Sequence, residues 1–134
     1  MNSEKRTDKP DLKVIFSTLW IVVMFNMIFA DILTLYIPEF LNEIVTGATP
    51  VQITQELMLV MAIIIEIPIA MVFLSRVLKY RANRWANIIA GVITILFVVV
   101  GGSLTLHYIF FAAIEVVCLS LIIWYAWKWP KQED

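Results

Sequence analysis

Residues 61–74 read MAIIIEIPIAMVFL, thirteen uncharged residues around one carboxylate, Glu66. Extended back to Ile53, this run has the length of about 20 predominantly apolar residues that a helix needs to cross a bilayer. No strand-like alternation of polar and apolar residues interrupts it. A charge at the centre of such a span costs roughly 2.5–3.5 kcal/mol on insertion scales, so Glu66 calls for a partner or a use.

Working outward, three further segments have the same character. The spans are predicted at about 14–37, 53–74, 85–106 and 108–127. The composition agrees: of 134 residues 61% are hydrophobic and 16% charged, and the mean hydropathy is +0.87. A soluble domain is about 45–50% apolar and about 25% charged. In lipid a backbone must satisfy its own hydrogen bonds, which leaves helices for a chain of this pattern. The expected fold is therefore all-α, an integral membrane bundle of four transmembrane helices. Residues 1–13 form a polar leader expected to be disordered, residues 14–129 the transmembrane domain, and residues 130–134 a short tail. The first span is too long for a secretory signal and lacks a small-x-small cleavage site, so it reads as an uncleaved anchor.

Charge predicts the orientation. All ten Lys and Arg residues fall in the leader (Lys5, Arg6, Lys9, Lys13), the turn after the second span (Arg76, Lys79, Arg81, Arg84) or the tail (Lys128, Lys131). The connections after the first and third spans hold none. The positive-inside rule then places both termini and the middle turn in the cytoplasm. Tyr80, Trp85, Trp124, Trp127 and Trp129 fall at the inner interface, as an aromatic belt would. The basic turn SRVLKYRANRW is explained by topology, with docking of anionic lipid or of a partner as the alternative. On the other side, IPEFLNEIV reads either as a short helix begun by Pro38 and ended near Gly47, or as a plain connector.

The candidate site rests on polar residues within the spans. At 1.5 Å per residue, Asn26 lies about 16 Å deep, Glu66 about 20 Å and Glu115 about 10–14 Å, with Asp31 nearer the outside. No Lys or Arg lies inside any predicted span. An ionised carboxylate without a counter-ion in low dielectric takes up a proton or recruits a cation or water. Gln55, Leu59, Ala62 and Glu66 share one helical stripe, and Tyr108, Phe111, Glu115 and Cys118 share another. Trp20, Met24, Met27 and Asp31 form a third. Asp31, Asn26, Gln55, Glu66, Tyr108 and Glu115 are thus the candidate ligand- or proton-binding residues, with Glu66 and Glu115 expected to line one inner cleft. The alternative is that the glutamates are hydrogen-bonding groups that hold helices together.

The third span carries no acid. Ala82, Ala86 and Ala90 repeat at four, with Asn83, Asn87 and Gly91 beside them, the pattern of a closely packed helix, and Val98 reads as lipid-facing. Pro68 interrupts the backbone ladder of the second span close to Glu66. One cysteine, Cys118, and one histidine, His107, supply neither a disulfide nor a dedicated metal or haem site, so no cofactor and no metal are expected. No nucleophile–base pair or phosphate-binding motif is present, which makes an enzyme the weakest reading.

Through FADIL, PEFLNEI, QITQ, EIPIAMVFLSRVLKYRANRWANIIAG, YIFFAAIE and WYAWKW the chain resembles a family of small uncharacterised prokaryotic four-helix membrane proteins. That resemblance implies a fold and no activity. The order of Glu66, the basic turn from Arg76 to Arg84 and a small-residue third span is also similar to DoxX-like proteins, a group associated with quinone-linked respiratory subunits and membrane chaperones. This sequence lacks a glycine-rich stretch after the glutamate.

The expected function is binding of a lipophilic or cationic small molecule, or of a partner helix, in a cleft with buried carboxylates. The alternative is a proton-coupled transporter of small cations. Four helices enclose too little volume for a pore, so transport would require a homo-oligomer. Membrane lipid is the expected surrounding, and no nucleic-acid partner is expected.

Overall fold

The computed structural model describes residues 11–131, so the disordered leader and the last tail residues predicted above fall largely outside the described residues. Five helices follow in order: α1 Leu12–Thr34, α2 Pro38–Thr46, α3 Gln55–Val77, α4 Tyr80–Val100 and α5 Leu106–Trp127. The described residues contain no strand. Four of the helices, α1, α3, α4 and α5, are long and apolar enough to cross a membrane.

Local chemistry sets the ends. Asp11 caps α1 by accepting from Lys13 N at 3.0 Å, and Thr54 caps α3 by accepting from Leu57 N at 3.1 Å. Helix α1 stops at Thr34, short of the predicted Ile37, because Pro38 forces the residue before it into extended backbone (Ile37 ψ 114°). The IPEFLNEIV segment is a helix. Pro38 opens α2 and Gly47, at φ 74°, closes it in the left-handed conformation that glycine adopts without strain. Helix α4 begins at Tyr80, five residues before the predicted span, since hydropathy marks where apolar residues start and not where the helix starts. It ends at Val100, where Gly101, Gly102 and Ser103 follow. Helix α3 runs unbroken through Pro68.

The four long helices form a ring in which α1 packs on α3 and α5, and α4 packs on α3 and α5. Neighbours in the ring are antiparallel. Ser17 Oγ near the start of α1 donates to Val72 O near the end of α3 (2.8 Å), while Thr34 at the end of α1 meets His107 at the start of α5 (2.9 Å). Side chains on the outside, among them Phe25, Leu59, Phe73, Leu96 and Phe110, are exposed and apolar, as a lipid-facing surface requires.

The two halves of the bundle differ. Phe16, Trp20, Met71, Leu119, Ile122 and Ala126 pack a dense core at the end that carries the basic residues and the described termini. A buried polar network crosses it. Trp20 Nε1 donates to Asn87 Oδ1 at 2.8 Å, Ser75 Oγ donates to the same oxygen at 3.2 Å, and Asn87 Nδ2 donates to Asn83 O at 2.9 Å. Asn83 Nδ2 in turn donates to Ser75 O at 2.8 Å. Helices α1, α3 and α4 are thereby joined through fully buried side chains. Arg84 donates to Ala126 O (3.0 Å) and Trp127 O (3.3 Å), placing its positive charge on the carbonyl end of α5.

Two expectations about faces are corrected. Val98 is only 2% exposed, because it lies two turns beyond Gly91 on the same inward stripe of α4. Trp129 is buried against Phe16 and Tyr80, at ring distances of 5.3 and 5.1 Å, so it belongs to the core and not to an exposed aromatic belt.

Candidate functional site

The other half of the bundle, towards α2, is hollow. A cavity of about 160 Å³ lies among the four long helices there. Met24 and Met27 of α1, Met61 and Ile65 of α3 and Phe97 of α4 give it apolar walls, and Asp31, Tyr108 and Glu115 supply its ionisable groups. Phase explains how Glu115 comes to face inward. It shares the buried stripe of α5 with Cys118, Leu119, Ile122 and Ala126, at offsets of three, four, seven and eleven residues.

Glu115 is 2% exposed, and its Oε1 has no hydrogen-bond partner among the described residues. Buried polar atoms are almost always paired, so an orphaned carboxylate oxygen facing a void marks a place for a donor or a cation. Asp31 lies four residues after Met27 on α1, at the more exposed edge of the cavity. Tyr108 donates its phenolic proton to Val98 O at 3.0 Å, which leaves its oxygen able to accept from the cavity side. Its ring fits because Gly102 lacks a side chain: a Cβ there would stand 2.8 Å from Tyr108 Cε1. Thr34 directs its single proton to Ala30 O (2.8 Å), so His107 Nε2 acts as the donor in their 2.9 Å contact. That bond ties α1 to α5 just beyond the cavity.

Three of the six predicted site residues, Asp31, Tyr108 and Glu115, therefore meet, and three do not. Asn26 donates to Val22 O of its own helix at 2.8 Å. Gln55 is exposed in the first turn of α3. Glu66 is exposed on the outside of α3 and does not line the cavity, so the cleft it was expected to share with Glu115 is not formed. Pro68 and Met71 hold the inward face of α3, and Glu66, two residues from Pro68, is turned about 200° away from it. Met24 and Met27 lie on the stripe of Asp31 read from the sequence, whereas Met61, Ile65 and Phe97 carried no signal, since apolar cavity walls and apolar core are written with the same residues. Among the described residues no three His, Cys, Asp or Glu side chains gather in a metal-binding cluster.

Four long apolar helices in a ring, each long and apolar enough to cross a membrane, with a carboxyl-bearing cavity in one half, define a small all-α helix-bundle protein. The chain belongs to the family of unknown function DUF6326, which matches residues 6–134. Comparison with curated proteins and with solved structures found no match.

Proposed function

We propose that this chain is a multi-pass protein of a prokaryotic cytoplasmic membrane that binds a small lipophilic cation in the cavity beneath Tyr108. The observation that carries this reading is Glu115 Oε1, buried, unpaired and bordering apolar space. An ammonium or amidinium group would satisfy it, with Asp31 adding negative charge at the edge and the methionine-lined wall receiving the apolar part. A cavity of about 150 Å³ accommodates a molecule of benzene's size, which sets the scale of the ligand. Tyr108 and Val98 also line an open groove on the outer side of α4 and α5, so these two residues border both the groove and the cavity.

Binding is favoured over transport because the opposite half of the bundle is filled by Phe16, Trp20, Leu119 and Ile122 and crossed by the Asn87 network. The DoxX-like order of features adds nothing here, since its glutamate, Glu66, lies outside the cavity.

Benzylammonium titrated into purified protein, with benzyl alcohol as the uncharged isostere, tests the reading. Benzylammonium is expected to bind and benzyl alcohol to bind at least about tenfold more weakly, as loss of a charge-assisted hydrogen bond implies. Glu115→Gln should abolish that preference while the melting temperature stays near wild type. Equal binding of the two probes would overturn the proposal.

The orientation, with both termini cytoplasmic, is supported by Lys13, Arg76, Lys79, Arg81, Arg84, Lys128 and Lys131 all lying at one end of the ring. Reporter fusions are expected to give a cytoplasmic signal after Asp134 and an external one in the loop at Gly47. Reversed signals would invert the site to the cytoplasmic side.

A further inference from the structure

At the end of the bundle that carries the basic residues, a cleft of about 310 Å³ opens between the start of α4 and the segment that follows α5. Arg81, Arg84 and Lys131 line it with Tyr80, Trp85 and Trp129, and among the described residues no carboxylate borders it. The positive-inside rule fixes the side on which basic residues lie and gives no reason for these to converge on one hollow. Arg76, Lys79 and Lys128 lie at the same end and stand outside it.

The convergence is built by packing. Trp129 sits edge-on against Tyr80 at 5.1 Å, and its carbonyl accepts from Tyr80 Oη at 3.1 Å. The segment after α5 is thereby pinned to the first turn of α4, and Lys131 reaches the same cleft as Arg81. Arg84 is held in place as well. Its Nε and Nη2 donate to Ala126 O and Trp127 O, and its Cζ lies 5.4 Å from the Trp85 ring and 5.6 Å from the Trp127 ring. Nη1 takes no part in those two hydrogen bonds. A guanidinium fixed in this way is preorganised to donate to an oxyanion.

We infer that this cleft binds the phosphate group of an anionic phospholipid. Charge complementarity carries the class of ligand: cationic side chains face the hollow from α4 and from the segment after α5, with no described acid to offset them. A zwitterionic headgroup would bring its own ammonium into that field. The lipid is the source because Trp85 and Trp127, whose rings flank Arg84, are exposed on the outside of the bundle, and tryptophans so placed mark the headgroup level of a bilayer. The volume is roughly twice the ~150 Å³ that holds a benzene-sized molecule, room for a phosphate and its glycerol. This inference rests on the membrane reading above and is independent of the Glu115 cavity.

Dihexanoyl phosphatidylglycerol titrated into the full chain in detergent, followed by tryptophan fluorescence, tests it against dihexanoyl phosphatidylcholine and inorganic phosphate. The phosphatidylglycerol is expected to bind at least about tenfold more tightly than either. Arg81→Gln and Lys131→Gln should each weaken it about fivefold, whereas Arg76→Gln and Lys128→Gln, outside the cleft, should each change it less than about twofold. Arg84 is left intact because it also holds the end of α5. Equal binding of the two lipids, or equal losses in all four variants, would overturn the cleft as the site. Inorganic phosphate binding as tightly as phosphatidylglycerol would overturn the lipid as the source. Chain recovered from cells in the soluble fraction would overturn the membrane reading; chain recovered in membranes with a failed titration would overturn this inference alone.

Discussion

Asn87→Leu is expected to destabilise the bundle by about 3 kcal/mol. Asn87 Oδ1 receives both the Trp20 indole N–H and the Ser75 hydroxyl, and its Nδ2 donates to Asn83 O at 2.9 Å. Leucine fills a similar volume but leaves two buried donors, on α1 and α3, with no acceptor. Each orphan costs roughly 1–3 kcal/mol because water does not reach it. Trp20→Phe removes one donor and leaves the Asn87 acceptor with Ser75, so it should cost only about 1 kcal/mol. Thermal unfolding in detergent measures the series, with wild type above Trp20→Phe and Trp20→Phe above Asn87→Leu. An Asn87→Leu variant as stable as wild type would mean that this network contributes nothing to the packing of α1, α3 and α4.

Gly91→Leu is expected to cost about 2–3 kcal/mol by overpacking. A Cβ at residue 91 would stand 2.8 Å from Ile123 Cγ1 and 3.2 Å from Ile123 Cδ1, so α4 and α5 touch through the absence of a side chain. Leucine places three further carbons in the same space. Ile123 is half-buried and yields only in part, and the remainder must appear as separation of the two helices. Val99→Leu is the control, since Val99 is 64% exposed and should change stability by less than about 0.5 kcal/mol. Combining Gly91→Leu with Ile123→Ala should recover a large part of the loss, because the clash is with that one side chain. Failure of Ile123→Ala to rescue would place the strain elsewhere in α4.

Much of this protein is legible along the chain. The helical stripe of Glu115 with Tyr108 and Cys118 needed only the 3.6-residue repeat, and two of those three residues border the cavity. The stripe of Gln55, Leu59, Ala62 and Glu66 was equally visible, yet it faces outward. Asn83 and Asn87, four residues apart in an apolar helix, announced a polar face, but their partners Ser75 and Trp20 lie on other helices, and no spacing along the chain pairs them.

By itself the sequence determined the number and approximate limits of the long helices, the break at Pro38, and the gathering of the described basic residues at one end. Those features are local: they follow from the length of apolar runs, from φ/ψ limits at single residues and from charge between runs. Only the tertiary structure decided that Glu115 faces in and Glu66 faces out, that Val98 is buried, and that one half of the bundle is solid and the other hollow. The physical reason is that a lipid-facing surface and a helix-bundle core select the same side chains. A helix that is apolar all round carries no periodic signal for its inward face, and that choice is made by how four helices fit against one another.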